Sequence, residues 1–323
     1  MIYMLFDNPA DRYGMKFLYD YKTAEIEQVY PSKKCSGSIK EMIRVCNTLI
    51  KESKKNDTIL CWYDFMGVLC WWICKMTRKK RNIIAINVLL KDKKTAKNRI
   101  AKFLYKIAFK SKQIQATVTS KEYGVWINKI LHINEEYEVL HDIYHSEYDL
   151  KSDEKICKKT IFCGGRNGRN WKMVLEIANV LPDVKVRCIM PKDEYAKYKN
   201  CFPDNMEVQY DVSINKFMKT MCESELIIMP LDTEAPAGLI ALFQAGANGK
   251  PLVVSDTVTT REYFSDDRGY LCKDDIEEWK KTIEYCLSNS QEAIERAKKF
   301  KKFLEQECTE KKYAEKIANM CEI

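Results

Sequence analysis

The sequence predicts an α/β protein of two tandem Rossmann-like domains followed by a C-terminal helical tail. Three observations carry this. The 323 residues exceed what one ordinary core organises. Short apolar strand patterns alternate with helical patterns along most of the chain, the mark of parallel sheets. A polar stretch from His145 to Lys159, with Ser152, Asp153 and Glu154, interrupts the alternation and divides the chain into residues 1–150 and 151–323.

In the first series Ile2 to Phe6 reads as a strand and Ser38 to Ser53 as an amphipathic helix. Thr58 to Tyr63 is a strand and Phe65 to Met76 a buried helix. The run Ile59 to Met76 is the one membrane-like stretch, and Asp64 and Gly67 inside it favour strand, turn and buried helix over a span. Asn82 to Leu89 (strand), Ala96 to Lys110 (helix), Ala116 to Thr119 (strand), Lys121 to Leu131 (helix) and Tyr137 to Leu140 (short strand) complete the series.

The second series opens with the strand Thr160 to Cys163 and the helix Trp171 to Val180. Val184 to Met190 (strand), Glu194 to Lys199 (helix), Glu207 to Tyr210 (strand) and Ile214 to Cys222 (helix) follow. The segment Leu226 to Asp256 then contains a buried strand, a loop, the apolar helix Leu239 to Ala247, and a second buried strand from Leu252 to Ser255. Ile276 to Leu287 and Gln291 to Met320 read as terminal helices.

Hydrophobic content of 46% and charged content of 31% describe a soluble globular chain. Met1 to Phe6 runs straight into Asp7, Asn8 and Pro9 with no secretory pattern, so a cytoplasmic protein is expected. The 14 cysteines form no Cys-x2-Cys pair and read as free core thiols of a reducing compartment. Charge is lopsided: residues 1–150 carry 26 Lys+Arg against 17 Asp+Glu, and residues 151–323 carry 28 against 29. Fourteen basic residues and one acid, Asp92, fall within 75–112. The helix Ala96 to Lys110 places Ala96, Ile100, Phe103, Leu104 and Ile107 on one face, with Lys97, Lys102, Lys106 and Lys110 elsewhere. Two readings stand: core packing with a solvated basic face, or docking on an anionic membrane. Nucleic acid is not expected, because the aromatic residues sit at core spacing.

Two segments carry the chemistry. Gly164, Gly165, Arg166, Asn167, Gly168, Arg169 and Asn170 link a strand to a helix, where glycines admit close ligand approach and arginines supply phosphate donors. The loop before Leu239 lies at the carboxyl end of a strand and opens a helix, a place that favours an anion. Neither segment has the spacing of a Walker A loop or a Gly-x-Gly-x-x-Gly turn.

Gly165-Arg166, the Glu-Ala and Gly-Leu loop, and Gly249-Lys250-Pro251 together resemble the C-terminal domain of retaining, family-4-type glycosyltransferases of GT-B fold, the type that builds bacterial cell-surface glycans and exopolysaccharides. The resemblance implies two domains facing a cleft and a hexosyl transfer from a nucleotide sugar to a lipid-linked glycan. It implies Arg166 and Arg169 as phosphate-stabilising catalytic groups, with Asp64 orienting an acceptor hydroxyl or, alternatively, capping a helix. Donor contacts would come from Gly165, Arg166, Asn170, Lys172, Met190, Glu234, Ala235, Pro236, Ala237, Gly238, Leu239 and Gln244. Asn170 stands where the family carries a Lys, and Gln244 where it carries the second Glu of a Glu-x7-Glu pair, whose first member falls near Pro236. Arg12, Tyr13, Gly14 and Asn87 would form the acceptor side.

No Asp-x-Asp motif is present, so no divalent metal and no resident cofactor are expected. His141 and Asp142 at the domain junction read as structural. Two rivals remain: a nucleotide-sugar 2-epimerase on the same fold, disfavoured because His132, His141 and His145 cluster near the junction, and a non-catalytic nucleotide-sugar-binding partner subunit.

Overall fold

Runs of β-branched and other apolar residues four to eight long form strands here because both faces of each sheet are covered by helices. The computed structural model describes residues 1–9, 26–31, 38–92, 94–149, 155–264 and 267–321. Its internal contacts fall into two units, residues 1–143 with 310–323, and residues 144–309. The sequence division had placed the whole tail with the second domain.

The first unit holds a six-stranded parallel sheet among the described residues. Its strands are β1 (Ile2–Leu5), β2 (Ile26–Val29), β3 (Thr58–Cys61), β4 (Asn82–Ala85), β5 (Ile114–Val118) and β6 (Glu138–Val139). Their order is β2-β1-β3-β4-β5-β6, with Ile2 opposite both Ile26 and Thr58. Among the described residues four helices connect them: α1 (Ile39–Glu52), α2 (Asp64–Thr77), α3 (Ala96–Lys110) and α4 (Lys121–Leu131). Ser38 caps α1 by accepting from Glu41 N–H, and Met42, Val45, Cys46, Leu49 and Ile50 form its buried stripe. Helix α2 is buried along most of its length and stops at Arg78, which is left-handed at φ 54°.

On α3 the buried residues are Tyr105, Ala108 and Phe109, while Ile100 and Phe103 are exposed. The face expected to pack is therefore partly turned to solvent. The strand expected through Leu89 ends at Ala85, because Asn87 takes a left-handed φ of 45° that breaks the extended run.

The second unit also carries six parallel strands: β7 (Cys157–Gly164), β8 (Lys185–Met190), β9 (Met206–Tyr210), β10 (Ser224–Met229), β11 (Leu252–Ser255) and β12 (Tyr270–Cys272). The order is β12-β11-β10-β7-β8-β9. Consecutive strands run outward from β7 to one edge and from β10 to the other, so the chain reverses direction across the sheet between these two. Helices α5 (Trp171–Val180), α6 (Lys192–Tyr198), α7 (Ile214–Glu223), α8 (Leu239–Ala247), α9 (Thr260–Tyr263), α10 (Ile276–Ser288) and α11 (Ser290–Glu307) belong to it. The buried face of α5 meets Ile161, Cys163, Val186 and Cys188, and Phe300 and Leu304 of α11 lie against Gly246 of α8.

The long helix expected from Gln291 to Met320 is broken. Cys308 caps α11, and its carbonyl accepts from Tyr144 N–H at 2.7 Å instead of continuing a helix. After the break, α12 (Glu310–Met320) buries Tyr313, Ala314 and Ile317 with Ile2, Met4, Leu60 and Ile84 of the first unit. Among the described residues no helix is long and apolar enough to cross a membrane.

Candidate functional site

Open α/β sheets hold ligands outside the carboxyl ends of the strands where the order reverses. In the second unit that place is the pair of loops after β7 and β10, the two segments singled out in the sequence. Their backbones form a short ladder. Asn170 N–H donates to Pro230 O and Asp232 N–H to Gly168 O, both at 3.0 Å, while Leu231 N–H reaches Ser255 Oγ at 2.8 Å.

Arg169 locks the ladder from inside. Its side chain is buried, with Nε donating to Gly164 O at 2.9 Å and Nη1 to Asn167 O at 3.1 Å. Burial lowers its pKa from the usual arginine range, opposed by Cys163 and Asp232. Gly165 at φ 127° and Gly238 at φ 77° flank the guanidinium. A Cβ on Gly165 would lie 2.6 Å from Arg169 Nη2, and one on Gly238 would collide with the same group. Arg169 is thus spent on backbone carbonyls and positions the loops, in place of the expected phosphate contact.

Arg166 has the opposite environment. Its side chain is 74% exposed and Nη2 stands 3.2 Å from Asp211 Oδ1. Gly165, Arg166, Met190, Pro191 and Asp211 line a cavity of about 220 Å3 at the carboxyl ends of β7 to β9. Met190 is buried at the end of β8 and forms part of the lining. Asp211 escaped the sequence reading, although its place just beyond a strand's carboxyl end was the available signal.

The other expected donor contacts divide into engaged and open groups. Asn170 Oδ1 caps α5 by accepting from Met173 N–H at 3.1 Å. Lys172 points outward along α5 and pairs with Glu176 at 3.3 Å. Glu234 does not face open space with its carboxylate: Oε2 accepts from Val258 N–H and its carbonyl from Thr259 Oγ1, both at 2.8 Å. Ala235 N–H is taken by Thr233 Oγ1. Pro236 has no N–H to offer.

Helix α8 then opens at Gly238 with no side-chain cap, leaving its first-turn N–H groups, starting at Leu239 after Ala237, without an intrahelical partner. Gln244 is buried on α8, and among the described residues its side-chain amide makes no hydrogen bond. Lys250 of the Gly249-Lys250-Pro251 turn is structural, its Nζ donating to Cys222 O at 2.8 Å.

In the first unit the order reverses between β1 and β3. Arg12, Tyr13 and Gly14, expected in the loop after β1, lie outside the described residues. Asp64 follows β3 and is the first residue of α2; the cap position is Tyr63. Its carboxylate is buried and accepts from Tyr105 O–H at 2.5 Å and Leu89 N–H at 3.0 Å. Burial pushes its pKa up to about 6, opposed by the Tyr105 and Leu89 hydrogen bonds. Asn87 is also engaged, with Nδ2 donating to Asp142 at 3.1 Å and Oδ1 accepting from Thr117 Oγ1 at 2.9 Å. Among the described residues no cluster of three or more His, Cys, Asp or Glu side chains is arranged to hold a metal.

The chain shares its fold with GT-B glycosyltransferases: two parallel six-stranded sheets with interleaved helices and a helical C-terminus. The Anabaena protein Alr3699/HepE, solved with UDP and glucose, is 12% identical, with 100% of this chain and 99% of that one covered and a TM-score of 0.73. Sucrose-phosphate synthase from Thermosynechococcus elongatus is 9% identical over 99% of this chain and 98% of that one, at 0.75. A glycosyltransferase from Rickettsia africae ESF-5 is 11% identical over 99% and 97%, at 0.65. Residues 169–319 match a family described as glycosyl transferase-like. No curated protein matches the sequence significantly.

Proposed function

We propose that the chain is a retaining glycosyltransferase that moves a hexose from a nucleoside diphosphate sugar to a glycan acceptor carried on a lipid, without a divalent metal or other cofactor. The ladder between the β7 and β10 loops carries this reading, because it fixes Gly165 and Arg166 on one side of Arg169 and the uncapped start of α8 on the other. A diphosphate needs such a combination of a mobile cation and oriented N–H groups.

In the reaction the bond from the anomeric carbon to the β-phosphate oxygen breaks. The acceptor oxygen bonds the same carbon on the same face, and its proton leaves on the departing phosphate oxygen. Arg166 and the amides from Ala237 to Leu239 stabilise the charge that grows there. Gln244 receives a ribose hydroxyl, and the cavity beside Met190 receives the base. Glu234 holds the loop after β11 rather than touching the sugar. The Anabaena relative was solved with UDP, which makes UDP the first probe.

UDP is expected to raise the melting temperature. Arg166→Ala should weaken its binding about 10- to 100-fold, the worth of one charge-assisted hydrogen bond set, with the unliganded melting temperature unchanged. No stabilisation by any nucleoside diphosphate overturns the reading. Binding with neither transfer nor sugar-nucleotide hydrolysis would point instead to a partner subunit, because Gln244 and the engaged Glu234 are the two departures at the site. The lipid-linked acceptor is supported by exposed Ile100 and Phe103 on α3 beside Lys97 and Lys106. Flotation with anionic vesicles should be lost in Lys97→Glu/Lys106→Glu, and equal flotation of both proteins refutes membrane docking.

A further inference from the structure

A cavity in the first unit lies at the wrong end of the sheet for the proposed transfer. It measures about 450 Å3 and sits at the amino ends of β3, β4 and β5, away from the strand exits that carry Asp64 and Asn87. Its lining includes Lys55, Lys79, Lys80, Arg81 and Lys112, one cluster from each of three loops entering neighbouring strands. Among the described residues none of these five forms an ion pair, and no carboxylate lines the cavity. Arg81 instead donates to Ser53 Oγ at 2.8 Å and to the Ile50 carbonyl at 3.2 Å, and Lys79 donates to the same Ile50 carbonyl at 3.0 Å. Those acceptors fix the two cations in place without neutralising them. Asp57, whose charge Arg81 also feels, is engaged by Lys54 N–H.

A large aromatic side chain forms part of the wall. Trp71 lines the same cavity, is 3% exposed, and its indole Nε1–H is buried with no hydrogen-bond partner. Arg78 and Lys112, left-handed at φ 54° and 53°, end the helices α2 and α3 just before these loops.

We infer that this cavity is a binding site for a phosphate-bearing anion, with the five cations as its donors and Trp71 in its wall. It is separate from the donor site and does not depend on the transferase reading. Two sources share that chemistry: a free polyphosphorylated small molecule, and the headgroup of an anionic lipid.

Pyrophosphate serves as the probe for the first source, and phosphatidylglycerol vesicles for the second. In the full chain, titration with millimolar pyrophosphate should shift the Trp71 indole N–H resonance, identified by its loss in Trp71→Phe. Lys55, Lys80 and Lys112 are exposed, so Lys55→Glu/Lys80→Glu/Lys112→Glu should fold normally, and should weaken binding about tenfold or more. UDP binding should stay unchanged in the triple variant. Vesicle flotation lost in the triple variant assigns the headgroup; pyrophosphate binding without flotation assigns a free compound. An unmoved Trp71 resonance together with flotation indifferent to the triple variant overturns the site.

Discussion

The two sheets are alike in size and parallel sense, yet the polar groups engaged at their carboxyl ends leave different groups open. In the second unit the interior groups, Arg169, Asn170 and Glu234, are consumed in holding two loops together, and that leaves Arg166 and the start of α8 open. In the first unit Asp64 and Asn87 are themselves consumed, by Tyr105, Leu89, Thr117 and Asp142. The difference teaches that a polar residue at a strand exit is not by itself a ligand contact. What matters is whether its hydrogen-bonding capacity is already filled.

The largest expected break of this contrast comes from Gly238→Ala. The new Cβ must occupy left-handed backbone and displace a buried guanidinium, so the second unit should lose about 3–4 kcal/mol in denaturant unfolding. A loss below about 0.5 kcal/mol would mean that Arg169 can move aside and that the lock is soft.

Next comes the first unit's buried acid. Because its folded pKa of about 6 lies above the ordinary 3.8, the native state holds the proton longer than the unfolded chain. Its contribution is fully present below pH 3.8 and is lost as pH rises towards 6. The shift corresponds to about 3 kcal/mol. Wild type minus Asp64→Asn should therefore slope downward in stability across that window, and a flat difference would show that the carboxylate is not desolvated. The smallest effect should be Asn170→Ala, costing about 1 kcal/mol through the lost cap while UDP binding stays within about twofold, since one net hydrogen bond would change it more. A larger loss of binding would return Asn170 to the donor contacts.

Much of the fold was legible because helical periodicity and capping residues coincide. Ala96–Lys110, Lys121–Leu131, Trp171–Val180 and Leu239–Ala247 all have the bounds that the pattern predicts. The edge strands β2 and β12 were not legible, since both are short, part-buried and lack a continuous apolar run, although the edges β6 and β9 were. Strand β7 starts earlier than expected, at Cys157, because pairing with Ser224 extends it past the core into Lys158 and Lys159. At the site the motif positions were readable and the division of labour was not. Two arginines three residues apart look equivalent in sequence, and only packing against Gly165 and Gly238 decides that Arg169 is inside and Arg166 outside.

The return of α12 to the first unit also orders events during synthesis. The strands carrying Ile2, Met4, Leu60 and Ile84 leave the ribosome before the whole second unit, whereas Tyr313, Ala314 and Ile317, which cover them, follow it. The second unit, continuous from 144 to 309, can complete itself while the first still shows an uncovered apolar face. Domain excision at the mid-chain linker would make that exposure permanent, so residues 1–143 alone should aggregate where the same residues joined to 310–323 should not.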